Sequence, residues 1–152
     1  MTIDDYDISL MRALQHDSTL TNAQLSELVH LSASQCSRRR SILEKANIIL
    51  GYGAQLNAKA LGFDLRVFTR VNLQQHGPNK GEAFEAFVAA SPEIRNAYSV
   101  SGDADYVLEI HVADLETFAQ FMHKHLLRQP QVGHLRSEIV LKPIKDQRLL
   151  PI

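Results

Sequence analysis

Apolar residues recur at helical spacing through the first third of the chain, then switch to alternation along short strands. The spacing predicts a helix over Asp5–His16, with Ile8, Leu10, Met11 and Leu14 in one apolar stripe. Asp4, Asp5 and Asp7 crowd its start, where the helix dipole favours anions. After the polar break Asp17-Ser18-Thr19, Thr21-Asn22-Ala23-Gln24 reads as a capping box with Thr21 as N-cap. The short helix it opens carries Leu25, Leu28 and Val29 on one side. His30-Leu31 makes a tight turn, and Ser32-Ala33-Ser34-Gln35 is a second capping box. It opens a third helix, about Ala33 to Lys45, with Ile42 and Leu43 at its apolar end. Asn47 suits the left-handed position just past a helix, which few residues other than glycine tolerate.

From Ile48 the pattern changes. Ile48 to Asn57, with Gly51-Tyr52-Gly53, reads as an extended hinge. Leu65, Val67, Thr69, Val71 and Leu73 then alternate with Arg66, Arg70 and Asn72, as in a half-buried strand. His76-Gly77-Pro78-Asn79 is a turn, and Lys80 to Ala90 a helix with Phe84, Phe87 and Val88 inward. Ser91-Pro92 stops it. Ile94 to Ser101 reads as a strand, Gly102-Asp103-Ala104-Asp105 as a hairpin turn, and Tyr106 to Val112 as the returning strand. Asp114 caps a helix carrying Leu115, Phe118, Met122 and Leu126, and a last strand spans about His134 to Lys142. The order strand, helix, strand, strand, helix, strand predicts an α+β, ferredoxin-like sandwich with both helices on one sheet face. The other face needs cover, and a second copy of the same sheet is the economical cover, so an oligomer is expected.

Composition narrows the class. The chain has 152 residues, 45% hydrophobic and 22% charged, enough for a real core. Sixteen Lys+Arg against 17 Asp+Glu excludes a strongly basic nucleic-acid coat. No apolar run reaches the roughly 18 residues of a membrane span. The acidic start Met1-Thr2-Ile3-Asp4-Asp5 has no apolar signal core. The single cysteine, Cys36, excludes a disulfide framework, and a reduced, cytoplasmic protein is expected. Cys36 itself reads as a small packing residue or, without support, as a thiol sensor. No metal constellation or catalytic triad is visible: His123 and His125 diverge by about 200° on a helix.

Two capped helices joined by a tight turn form a helix-turn-helix pattern. Its second helix carries Ser34, Gln35, Ser37, Arg38, Arg39 and Arg40, side chains that reach base edges and phosphates. Three successive arginines cannot all point one way. One or two are expected to meet phosphate, and one to pair internally, for example with Glu44. Two dyad-related copies would place two such helices in successive major grooves about 34 Å apart, on a roughly palindromic site in double-stranded DNA.

Several segments carry a family resemblance. They are Asp5-Tyr6-Asp7-Ile8 with Leu14; Leu25-Ser26-Glu27-Leu28 with Leu31-Ser32 and Arg39; Glu44 with Ile48, Ile49, Gly51 and Tyr52; and Leu61-Gly62. Gly102-Asp103-Ala104-Asp105-Tyr106, then Leu141, Lys142, Lys145 and the closing Leu150-Pro151-Ile152, complete the set. In this order and spacing the chain resembles the Lrp/AsnC (feast/famine) transcriptional regulators. The resemblance implies a winged-type helix-turn-helix domain at 1–47, a hinge or linker strand at 48–62, and a ferredoxin-like domain at 63–152 for effector binding and oligomerisation. It implies a homodimer assembling to a tetramer or octamer, no enzyme activity, no cofactor, and an amino-acid effector. Many relatives have glycine where this chain has Asn47, and threonine where it has Ser137.

On this reading Ser32, Ser34, Gln35, Ser37, Arg38, Arg39 and Arg40 are the DNA-contact candidates. Ser34, Gln35 and Arg38 are expected at base edges, and Arg39 and Arg40 at phosphates or in structural pairs. The effector candidates are Tyr98, Ser99, Val100, Gly102, Asp103, Ala104, Asp105, Tyr106 and Ser137. Free N–H groups beside Gly102 suit a carboxylate, and Asp103 or Asp105 an ammonium. The same hairpin is also readable as a plain tight turn. The rival reading is a ferredoxin-like ligand-binding module or small enzyme without DNA binding. An enzyme has no need of the capped helix pair at 21–45. By halves, residues 1–60 carry six Lys+Arg and six Asp+Glu, so whole-chain charge does not report a basic helix.

Overall fold

A computed structural model describes residues 2–74, 79–146 and 149–152. The turn expected at His76-Gly77-Pro78 lies outside the described residues. The chain divides into two compact units, Met1–Gln55 with Lys145–Ile152, and Leu56–Ile144.

The first unit holds α1 (Asp5–His16), α2 (Asn22–Val29) and α3 (Ala33–Lys45). Each starts with a complete capping box, at Asp4/Asp7, Thr21/Gln24 and Ser32/Gln35. Each box satisfies two amides that a helix start would otherwise leave unpaired. Leu10, Met11, Leu14, Leu25, Val29, Cys36 and Leu43 form the core. Cys36 and Leu43, two turns apart, are the buried face of α3. Full burial of each such leucine contributes about 1.5–3 kcal/mol. Of Leu25, Leu28 and Val29, expected on one inner side, Leu25 and Val29 are buried and Leu28 is exposed.

After α3 the chain turns sharply. The Ile48 amide donates to the Leu43 carbonyl and the Asn47 amide to that of Glu44, with Asn47 at φ 55°. This is a full Schellman stop, as the asparagine predicted. Residues 48–56 follow without helix or strand; among the described residues no strand precedes the sheet. The last residues belong to this unit: Arg12 Nε donates to the Ile152 carbonyl at 2.8 Å, and the Leu150 amide to Gln15 Oε1 at 2.7 Å. Ile152 packs against the helical core.

The second unit holds β1 (Leu65–Leu73), α4 (Lys80–Ala90), β2 (Ile94–Ser99), β3 (Tyr106–Val112), α5 (Leu115–Lys124) and β4 (Val132–Ile139). The four strands form one antiparallel sheet in the order β2-β3-β1-β4, the ferredoxin-like arrangement. Val67, Val71, Leu108, Ile110 and Val112 face Phe84 of α4 and Phe118 and Phe121 of α5. Phe121, one turn after Phe118, joins the core, whereas Leu115 in the first turn is exposed.

The last strand starts earlier and ends earlier than its sequence pattern indicates. Gly133 hides the start: a Cβ there would lie 3.3 Å from the Asn72 carbonyl and the Gln74 amide, beside a bulge at Asn72/Leu73. The end is set by the partner, because β1 begins at Leu65 and the Val140 amide on the Arg66 carbonyl is the last rung.

The sheet face opposite the helices carries Arg66, Phe68, Arg70 and Asn72 of β1 with Val107, Glu109 and His111 of β3. Glu109 is its hub: Arg66 Nε and His111 Nε2 each lie 2.8 Å from Oε1, and Asn96 donates to Oε2 at 2.7 Å. Burial raises the affinity of this carboxyl for a proton, but Asn96, His111 and Arg66 outweigh it and hold its pKa below the ordinary glutamate value.

Candidate nucleic-acid interface and effector hairpin

The turn between α2 and α3 is made by His30, left-handed at φ 56°, ψ 40°. It brings the α3 N-terminus round without glycine. Ser32 and Gln35 grip each other across the first turn of α3: the Ser32 amide donates to Gln35 Oε1 at 3.0 Å, and the Gln35 amide to Ser32 Oγ at 3.2 Å. Ser34 Oγ sits 3.0 Å from Ser32 Oγ. Ser34, Gln35, Ser37 and Arg38 are exposed, and Cys36 points into the core. Burial pushes the Cys36 thiol pKa up, as befits a packing residue.

The three arginines separate. Arg39 reaches back to α1, where its Nη1 donates to Asp4 at 2.9 Å and to buried Asp7 at 2.8 Å. These bonds, the Asp7 bond foremost, raise its pKa above the ordinary arginine value. Arg40 lies over the Tyr52 ring at 4.4 Å, its Nε 3.1 Å from Glu44 Oε1 and 2.9 Å from the Tyr52 hydroxyl. The hydroxyl in turn donates to Glu44 at 2.7 Å, and with Arg40 it holds the Glu44 carboxyl below its usual range. Arg38 makes no ion pair with a described residue. The internal pair expected with Glu44 is therefore made by Arg40, and Arg39 has a second one that the sequence pattern did not disclose.

The hairpin between β2 and β3 turns at Gly102, whose φ of 117° few side chains adopt. The Val100 amide closes it onto the Asp105 carbonyl at 3.0 Å. Asp105 then locks it to β1: its amide donates to the Val71 carbonyl at 3.0 Å, and its carboxylate accepts the Leu73 amide at 2.8 Å. Asn72 Nδ2 donates to the Asp103 carbonyl at 2.6 Å. The amides of Gly102, Asp103 and Ala104 donate to none of the described residues, and the Asp103 carboxylate is exposed. Ala104 is buried, and Tyr98, Ser99 and Val100 are exposed. The Tyr106 ring packs tilted against Phe84, their centroids 4.9 Å apart, and its hydroxyl donates to Glu85 at 2.9 Å. Ser137 is elsewhere. It bonds Thr69 at 2.9 Å on β4, the edge strand opposite β2. Three strand spacings, about 14 Å, separate the two edges. One protomer thus gathers the hairpin candidates but not Ser137.

Neither Asp4 and Asp7 as partners of an arginine, nor Arg12 and Gln15 as anchors of the closing residues, stood out from the sequence. Their partners are 32 to 140 positions away. Among the described residues no cluster of His, Cys, Asp and Glu is arranged to hold a metal ion. None of their helices is long and apolar enough to cross a membrane.

A helix-turn-helix head followed by a ferredoxin-like domain with a glycine-acidic hairpin defines a class of two-domain transcriptional regulators. The AsnC-type helix-turn-helix domain matches residues 3–44, and the Lrp/AsnC ligand binding domain matches residues 66–150. The chain belongs to the Lrp/AsnC family of DNA-binding transcriptional regulators. It is 38% identical over 144 residues to a leucine-responsive regulatory protein of Rhizobium meliloti, covering 95% of this chain and 92% of that one. It is 34% identical to the leucine-responsive regulatory protein of Escherichia coli K12, covering 99% and 92%. A transcriptional regulator from Neisseria meningitidis, solved in complex with L-methionine, superposes with a TM-score of 0.96 at 36% identity, covering 99% and 97%. A feast or famine regulatory protein from Mycobacterium tuberculosis, complexed with L-methionine, gives 0.84 at 26% identity, covering 98% and 99%. The relatives are regulators rather than enzymes, and the matched DNA-binding domain overturns the rival reading of a module without one.

Proposed function

We propose that this regulator reads double-stranded DNA through the exposed side of α3 and is tuned by an amino acid bound at the β2–β3 hairpin. Ser34, Ser37 and Arg38 contact base edges. Ser32 and Gln35 fix the start of α3 and keep the Gln35 amide nitrogen for a base. Arg39 and Arg40 serve chiefly as internal pairs. The observation that carries this reading is the sorting of the arginine run, which leaves Arg38 without a protein partner among the described residues. Arg38→Ala should weaken binding to the regulator's target site by about tenfold or more and relax its sequence preference, read by gel shift. Unchanged affinity would remove Arg38 from the interface.

For the effector, the unpaired amides at Gly102–Ala104 suit a carboxylate and the exposed Asp103 suits an ammonium. Asp105 is occupied by the Leu73 amide, so its role is to hold the hairpin. The two neighbours solved with L-methionine, matched over 97% and 99% of their chains, support an amino acid as ligand class. Ser137 joins such a site only if a second copy brings its β4 edge to the hairpin. The reading therefore includes a homodimer assembling further to a tetramer or octamer, in the cytoplasm where the DNA is. The domain division follows: DNA reading at 1–47, linker at 48–62, sensing and assembly at 63–152, with the closing residues returning to the head. Thermal shift with each common amino acid, L-methionine included, tests this. A response to none of them by folded protein overturns the effector reading.

A further inference from the structure

We infer that Asp4 is a specificity-determining residue that restrains sequence-independent DNA binding, by neutralising Arg39 and standing as a fixed negative charge beside Arg38. The inference rests on the DNA-binding reading of α3.

An open cleft on the head is lined by Thr2, Asp4, Asp7, Arg38, Arg39 and Ile42. Two acids and two arginines share it, so their formal charges cancel. Arg39 is held between both carboxylates at 2.9 and 2.8 Å. The Asp7 side chain is only 4% exposed, turned inward to pair Arg39 and to accept the Asp4 amide at 3.2 Å. Asp4 differs, being 47% exposed. It is the acid of the pair that water and an approaching phosphate meet.

The N-cap duty of Asp4 does not require its charge. Its carboxylate accepts the Asp7 amide at 2.9 Å, which an asparagine oxygen does equally well. What only an ionised side chain supplies is the charge against Arg39 and the field beside Arg38. The Asp7 amide bond and Arg39 both hold Asp4 ionised, its pKa lowered from the ordinary value. At about 0.1 M salt, charges act over roughly 10 Å, which spans one such cleft. Every phosphate that a guanidinium neutralises steepens the salt dependence of DNA binding by about 0.9. An aspartate that occupies Arg39 and repels phosphate near Arg38 therefore removes about one such contact, whatever the sequence. Base-edge discrimination by Ser34, Ser37 and Arg38 then makes up a larger share of the affinity.

The test is fluorescence anisotropy of the full chain on a random duplex of about 30 base pairs, titrated between about 50 and 200 mM salt. Wild type, Asp4→Asn, Asp4→Ser, Arg39→Gln and the Asp4→Asn/Arg39→Gln double variant are compared. Both replacements at position 4 preserve the cap, and circular dichroism checks that the head is folded. Asp4→Asn should bind about three- to tenfold tighter, with a slope steeper by about one. In the Arg39→Gln background the gain should fall by half or more. Wild-type affinity and slope in folded Asp4→Asn and Asp4→Ser would overturn the inference. A gain undiminished without Arg39 would overturn the part assigned to that residue. If wild type itself binds no duplex at low salt, the DNA-binding reading fails and this inference falls with it; if wild type binds and Asp4 is silent, only the inference falls.

Discussion

His30 and Asn47 hold the left-handed conformation at φ 56° and 55°, each where a helix of the head must stop within one residue. For a side chain other than glycine this costs about 1–2 kcal/mol, less for asparagine. His30→Gly should raise stability by up to about 1 kcal/mol, since relief of the strain exceeds the added freedom of the unfolded chain. Asn47→Ala should lower it by about 1 kcal/mol, and both changes are read in urea denaturation midpoints. The hairpin offers a sharper contrast between neighbouring acids. Asp105 caps the Leu73 amide, while the Asp103 carboxylate faces water. Asp105→Ala should cost about 1–2 kcal/mol of stability by leaving that amide unpaired. Asp103→Asn should leave the melting temperature unchanged and weaken any amino-acid thermal shift.

The sheet and α3 both combine apolar and ionic order, and each has one ionic cluster centred on a buried carboxylate. On the open sheet face that carboxylate is Glu109, only 5% exposed, hydrogen-bonded with Asn96 and His111 and ion-paired with Arg66. Its pKa is lowered on folding, so the folded state binds fewer protons than the unfolded one near that pKa. The stabilisation is complete above the unfolded glutamate value, about 4.3, and is lost as pH falls through the lower folded one. Glu109→Gln should therefore destabilise at neutral pH by about 1–3 kcal/mol and flatten the acid limb of the stability curve. A variant whose stability falls with acid as steeply as wild type would remove Glu109 from that limb. The strand ends were legible only in part. β1 and β3 follow strict alternation and match their predicted limits, whereas β4 is displaced because Gly133 serves a bulge and β1 runs out at Leu65. Alternation identifies a strand, but its length belongs to the pair.

The division of the chain is less sequential than its pattern. Residues 145–152 come last in the sequence yet belong with the first helices, tied by Arg12 to Ile152 and Gln15 to Leu150. Removing the last four residues should lower the melting temperature of the helical head, because Ile152 leaves its core. A head that melts unchanged would mean that the closing residues lie on it without supporting it. The capped helices, the order of strands and the two-domain plan were legible from the sequence because they rest on local chemistry. A Thr or Ser hydroxyl three residues before a glutamine, a period of two, and a glycine in an acidic turn act within a few residues. The partners of Arg39, the role of Asp105, the hub at Glu109, the distance of Ser137 from the hairpin and the return of Ile152 were decided by tertiary structure. Apart from His111 beside Glu109, the groups that meet in each lie 13 or more residues apart, or on opposite edges of one sheet. A charge or a carboxylate in the sequence states what it can bond. Only the folded chain, by bringing Asp7 out of water against one arginine of three, selects which bond is made.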